Sequence, residues 1–218
     1  MRPMKKTLSV LALLSLACGG LGADDPVTEH PDAVGLCEGG LESTPTWQGE
    51  YPGPVVHVMQ SATLPYRALP CGPIAGQCVV SPGLYHPWGR AATGFATVRP
   101  VLKYRLSRDF TDSEGIAYRE GDIVEVTAYL GEGFCAFRIN GREESGECPG
   151  MFDESASAFV ALNPEAENLP ETQLFQTRCE DGTSAWIDAA VALAADGVEE
   201  GVITGYGEVA PHGTADGF

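Results

Sequence analysis

The chain has 218 residues, with 30 Asp and Glu against 13 Lys and Arg and a net charge of -17. That length is enough for one or two small domains with a buried core, and the negative balance argues against nucleic-acid binding, which needs clustered cations to displace counterions. No apolar run reaches the roughly 20 residues of a membrane-spanning helix, and 27 Gly and 16 Pro scattered among short apolar runs argue against a helical bundle.

Residues 1–17 have the layout of an export leader. Arg2, Lys5 and Lys6 make a basic start, Leu8 to Ala17 is apolar apart from Ser9 and Ser15, and small residues precede Cys18. The run Leu14-Ser15-Leu16-Ala17-Cys18-Gly19 resembles the bacterial lipobox, with Ser15 where that motif usually has Leu. The resemblance implies cleavage before Cys18, acylation of that cysteine and attachment to the lipid bilayer of a cell envelope. Gly19 behind the cysteine, rather than Asp, implies the outer membrane. An ordinary cleaved signal peptide with a chance cysteine is the alternative.

The leader holds three basic residues and no acid, so the remainder carries 10 basic against 30 acidic residues. Residues 18–36 are rich in Gly, Asp and Pro without periodicity and read as a flexible tether. Residues 37–100 read as a Pro/Gly-rich β region containing cysteines. From Cys37 to Tyr104 there are three acids, four bases and nine of the prolines; from Arg105 to Glu200 there are 21 acids and six bases. That contrast suggests two structural units or one with a polarised surface. Val55 to Met59 and Gln77 to Val80 read as short strands between Pro and Gly turns. Trp47, Tyr51, Tyr66, Tyr85 and Trp88 supply the core of such a region, or else an exposed aromatic surface for sugars or peptides.

Over residues 101–162 short strands alternate with turns. Val101 to Leu106 alternates, Ile123 to Thr127 is β-branched with period two, Phe134 to Ile139 alternates again, and Asn140-Gly141 is a hairpin turn signal. Asp109-Phe110, Ile116-Ala117-Tyr118-Arg119-Glu120-Gly121-Asp122, Gly133-Phe134, Gly146-Glu147-Cys148-Pro149-Gly150-Met151-Phe152 and Phe159 to Leu162 follow in the order found in Src-homology-3 domains, which this segment resembles. Phe134 replaces that family's groove tryptophan, Leu106 stands at a usual tyrosine position, and residues are inserted before the last strand. The resemblance implies a small barrel whose groove, formed by Phe110, Phe134, Pro149 and Phe152, takes extended peptides or cell-wall peptide, with Asp112 and Glu114 receiving a basic residue. The alternative is that the aromatics fill the core and the acids are solvated.

Residues 163–218 read as a hairpin, a short helix and a mobile tail. Leu174 to Cys179 and Ala185 to Ile187 flank an Asp181-Gly182 turn, Asp188 to Asp196 is Ala-rich with Gly197 behind it, and Gly201 to Phe218 is Gly-rich. With Cys18 acylated, six cysteines remain, an even number that implies a disulfide framework in an exported chain. A hairpin turning near Asn140 sets Cys135 and Cys148 on adjacent strands. The turn around Gly72-Pro73 suggests Cys71 with Cys78, leaving Cys37 for Cys179.

No nucleophile elbow, zinc-protease helix or phosphate loop is present. His30, His57, His86 and His212 are scattered, and Asp109, Asp112 and Glu114 lack EF-hand spacing for calcium. The sequence thus implies a mostly β protein: a Src-homology-3-like barrel, a disulfide-linked Pro/Gly-rich β region and a short C-terminal helix. Its expected role is a non-catalytic, lipid-anchored binding or scaffold module of the envelope, without cofactor or metal and without a nucleic-acid partner. An envelope hydrolase with a site assembled from distant residues is the competing expectation.

Overall fold

The computed structural model describes residues 35–37, 40–45, 47, 53–87, 91–149, 157–205 and 208–211. Residues 1–17, read as an export leader, and Cys18 and Phe152 lie outside them. In chain order the described residues form β1 (Gly35–Leu36), β2 (Leu41–Thr44), β3 (Val56–Val58), β4 (Ala62–Arg67), β5 (Ile74–Val80), β6 (Gly83–Tyr85) and β7 (Gly94–Pro100). Next come β8 (Leu102–Leu106), β9 (Phe110–Thr111), β10 (Ala117–Tyr118), β11 (Ile123–Gly131), β12 (Phe134–Ile139), β13 (Arg142–Glu147) and β14 (Phe159–Ala161). A 3-10 turn at Pro164–Asn168 leads to β15 (Thr172–Arg178), β16 (Ser184–Asp188), α1 (Ala189–Leu193), β17 (Val198–Glu200), β18 (Val202–Gly205) and β19 (Glu208–Ala210). The protein is mostly β, as its β-branched, turn-punctuated sequence implies.

Seven strands form one antiparallel sheet in the order β1-β2-β7-β15-β16-β4-β5. Its centre is the pairing of β7 with β15, which sets Phe175 opposite Phe95 and Leu174 opposite Ala96. Successive residues point to opposite faces. One face therefore buries Phe95, Phe175 and Ile187 with Trp47, Leu64, Val80 and Tyr85, and the other buries Ala96, Val98, Leu174 and Trp186. Both faces of β7 are covered, so Gly94 to Val98 are buried without alternation, Thr97 included. Residues 37–100 and 163–218 look like separate blocks in the sequence, yet they share this sheet and its core. Gly35–Leu36, read as part of the tether, pairs with β2 at its edge.

Residues 102–161 form a second sheet, inserted between β7 and β15, in the order β13-β12-β11-β8-β14. The β9–β10 hairpin lies across it and closes a separate core of Leu106, Tyr118, Val124, Val126, Phe137, Ile139 and Phe159. Among the described residues no pairing joins β13 to β14, so the sheet stays open at both ends. Asn140 and Gly141, at φ 49 and 83, make the left-handed two-residue turn that their types favour. The inserted sheet is tied to the larger one by charge. Arg138 on β12 donates from Nη1 to Glu42 Oε1 at 2.9 Å and from Nε to Glu125 Oε2 at 3.1 Å, and Lys103 Nζ donates to Glu125 Oε1 at 2.6 Å.

All six cysteines beyond Cys18 are paired. Cys135 bonds Cys148, as the hairpin geometry implies, with Cα atoms 4.8 Å apart. The other two pairs correct the sequence expectation: Cys37 bonds Cys71 and Cys78 bonds Cys179. The chain reverses between β4 and β5, so Cys71 sits in the hairpin loop while Cys78 lies four residues into β5, on the same side of the reversal. At about 3.3 Å per strand residue the two are carried apart, and the buried Cys78 instead meets the end of β15.

The C-terminal segment also departs from expectation. The helix is shorter than Asp188 to Asp196. Asp188 caps it, accepting from the N–H groups of Ala190 and Val191, but Gly197 at φ 76 turns the chain early into β17. The left-handed backbone there favours glycine, while the nearby Gln60 side chain is exposed and free to move aside. Residues 201–211, read as part of a mobile tail, contribute the β18–β19 hairpin. Gly201 N donates to Val55 O at 2.8 Å, and a Cβ there would meet Val55 at 2.7 Å.

Candidate functional site

The residues of the expected groove come only partly together. Register pairs Phe110 on β9 with Tyr118 on β10, and their rings stack at 6.0 Å, with Phe159 edge-on to both. Pro149 is buried directly after Cys148, where the disulfide to β12 holds it against this cluster. Phe110, Asp112, Tyr118, Glu147, Cys148, Pro149 and Phe159 enclose a dimple of about 10 Å³. That is no more than a single water-sized space, so the face is filled by its own side chains and offers a surface rather than a cavity.

Phe134 stands beside this dimple. It lies opposite Glu147 across the β12–β13 ladder and is 39 % exposed. Phe110 is half-buried and Glu114 is exposed on the β9–β10 loop.

Asp112 does not serve as a presented acid. Its Oδ1 accepts from Ile116 N–H at 2.8 Å, its Oδ2 accepts from the Tyr118 hydroxyl at 3.1 Å, and it is nearly fully buried. It braces the loop between β9 and β10. Burial first, and then the Asp112 carboxylate, push the Tyr118 phenol well above its ordinary pKa. Glu147 is the acid at the rim, accepting from Ser113 Oγ at 2.5 Å. Sequence reading missed Glu147 and Phe159 as parts of this face. Tyr118 was visible within the Ile116 to Asp122 run, but its partnership with Asp112 needs the hairpin register to be seen.

Among the described residues one further pair of titratable groups meets from distant parts of the chain. His57 on β3 lies opposite Glu199 on β17, and Nδ1 is 2.9 Å from Glu199 Oε1. The sequence separation hides this pair. Among the described residues no hydroxyl or thiol is hydrogen-bonded to it. His86 is buried, with its ring edge-on to Trp47 at 5.9 Å. Trp47 and Tyr85 are core residues, Tyr66 is half-buried, and Tyr51 and Trp88 lie outside the described residues. Among the described residues no three His, Cys, Asp or Glu side chains come close enough to hold a metal, and no helix is long and apolar enough to cross a membrane. An open hollow of about 400 Å³ lies at the other end of the inserted sheet, lined by Ala117, Arg119, Asp122, Ile139, Asn140 and Arg142.

No protein family, curated protein or solved structure matches the chain.

Proposed function

We propose that the protein is an exported envelope lipoprotein, anchored through Cys18 in the outer membrane, whose inserted module binds extended peptides without catalysis. The observation that carries the binding reading is the face on which Phe110 and Pro149 meet, flanked by exposed Phe134 and by the carboxylates of Glu147 and Glu114. Aromatic rings beside a proline suit the flat, preformed surface of a polyproline-type helix, and carboxylates at the rim suit a cation beside it. The Src-homology-3-like reading is supported by the module having a sheet and a core of its own, with the acid-bearing hairpin folded over one end. Export is supported by the pairing of all six cysteines other than Cys18, since such crosslinks persist in oxidising compartments.

The test is capture of envelope extract, peptidoglycan peptides and a proline-rich peptide array by the full chain and by Phe134→Ala. The aromatic face predicts at least a tenfold loss of the captured ligand in the variant. Equal capture by both chains refutes the binding reading, and absence of label at Cys18 after growth with tagged palmitate refutes the anchor.

A further inference from the structure

Beyond the Phe110–Pro149 face, the inserted sheet has an edge left open. β13 ends the strand order, so its far side has no neighbouring strand among the described residues. The two-residue turn at Asn140-Gly141 makes Ile139 and Arg142 a bonded pair, and the alternation of an antiparallel ladder then turns Phe137 with Glu144 and Cys135 with Gly146 inward. Cys148 N donating to Gly133 O at 2.7 Å keeps the same phase. The backbone N–H and C=O groups of Glu143, Ser145 and Glu147 therefore point away from the sheet, evenly spaced, and the β12–β13 register runs without a bulge.

The other sheet edges are blunted. β1 has two residues and β14 three. β5 is longer, but its register with β4 shifts between Tyr66 and Arg67, and Glu180 N already donates to Val79 O at 3.1 Å. Bulges, short strands and covering loops are the ordinary ways of stopping an edge from pairing. Among the described residues the one such device on β13 is charge. The side chains of Glu143, Ser145 and Glu147 share the outer face with Phe134, and two of the three are carboxylates. Glu143 has Arg138 Nη1 at 3.8 Å and Glu147 accepts from Ser113 Oγ, but β13 still carries three Glu against Arg142, so two copies of this edge repel each other while a cationic strand is attracted.

We infer that β13 is a docking edge for an extended cationic peptide, which adds to the sheet as a further strand. Its backbone pairs with Glu143, Ser145 and Glu147. Two of its cationic side chains, four positions apart, lie opposite Glu143 and Glu147, with an uncharged residue between them opposite Ser145. The edge shares Glu147 with the aromatic face, and the backbone pairing at Ser145 is what tells the two apart.

The experiment titrates the full chain with the peptide TKVTVKT, its glutamate counterpart TEVTVET, and TKVTVKT N-methylated at the central threonine. The lysine peptide binds at least tenfold more tightly than either control, and its binding slows amide exchange at Ser145 and Glu147 at least tenfold. Ser145→Pro removes one outward donor at a position where an edge strand tolerates proline, and lowers the affinity at least tenfold while the β12–β13 amides stay protected. If that variant does not fold, exchange in the unmodified chain decides. Equal binding of the N-methylated peptide, no slowing at Ser145, or slowing at Ile116 to Tyr118 in its place overturns the inference. The last of these outcomes leaves the aromatic-face reading intact.

Discussion

Every strand of the five-stranded sheet lies between Leu102 and Ala161, and neighbours in the chain are mostly neighbours in space. The seven-stranded sheet is assembled across that whole segment: β7 pairs with β15, and Cys78 bonds Cys179 at a sequence separation of 101. The inserted sheet is crosslinked at a separation of only 13. Contacts of high sequence separation demand more loop closure before they contribute anything. The larger unit therefore depends on its long crosslink for the ordering of its two halves, whereas the smaller one depends on its own hairpins.

The sharpest way to break this contrast is to remove each crosslink. The chain-entropy account gives about 4.7 kcal/mol for closing a loop of about 100 residues and about 3 kcal/mol for one of about 15. A Cys78→Ala and Cys179→Ala chain is expected to lose about 4–5 kcal/mol from the transition of the larger unit. A Cys135→Ala and Cys148→Ala chain is expected to lose about 3 kcal/mol from that of the inserted one. Calorimetry of both variants checks the order. A larger loss in the second would mean that local pairing is not what holds the inserted sheet.

Arg138→Ala tests how firmly the units are joined. It leaves Glu42, which is 6 % exposed, without its guanidinium partner. Removing one member of a buried ion pair costs about 3 kcal/mol or more. The expected outcome is a loss of that order and a separation of the two unfolding transitions in denaturant. A single unchanged transition would show that the Arg138 contacts do not couple the sheets.

The smallest expected effect is alkaline. Burial and the nearby Glu167 push Tyr104 up to about 12, and Tyr118 is raised further by burial and Asp112. Both belong to the inserted unit. A phenol whose pKa is raised on folding stabilises fully below the unfolded value of about 10, and that contribution drains as pH climbs through the folded value. The inserted unit is therefore expected to lose stability above pH 10. Tyr118→Phe is expected to release about one proton fewer on unfolding in that range, read from the slope of stability against pH. An unchanged slope would mean that Tyr118 does not titrate differently in the two states.

The same contrast explains what the sequence made legible. Asn140-Gly141, Asp181-Gly182 and the alternating strands around them encode structure within a dozen residues, so those hairpins and the Cys135–Cys148 bond are readable directly. Asp188 announces its helix for the same reason. Nothing local in Phe95 or Phe175 says that they face each other, and nothing in His57 points to Glu199. The Cys71–Cys78 expectation failed because a Gly-Pro pair marks a reversal without saying which residues lie on either side of it. At the aromatic face, residue types were legible but roles were not. Asp112 turned from ligand acid to loop brace once Tyr118 came within hydrogen-bond reach of it.

The insertion has a consequence for biogenesis. A ribosome delivers the polypeptide from its N-terminus, so Cys37, Cys71 and Cys78 emerge together, well ahead of Cys179. During that interval the wrong bond, Cys71 to Cys78, faces no competition from the native partner of Cys78. A Cys71–Cys78 bond closed in that interval has to be reopened by thiolate attack before Cys78 can take its native partner, so the late-arriving Cys179 stands at the step that commits the larger unit.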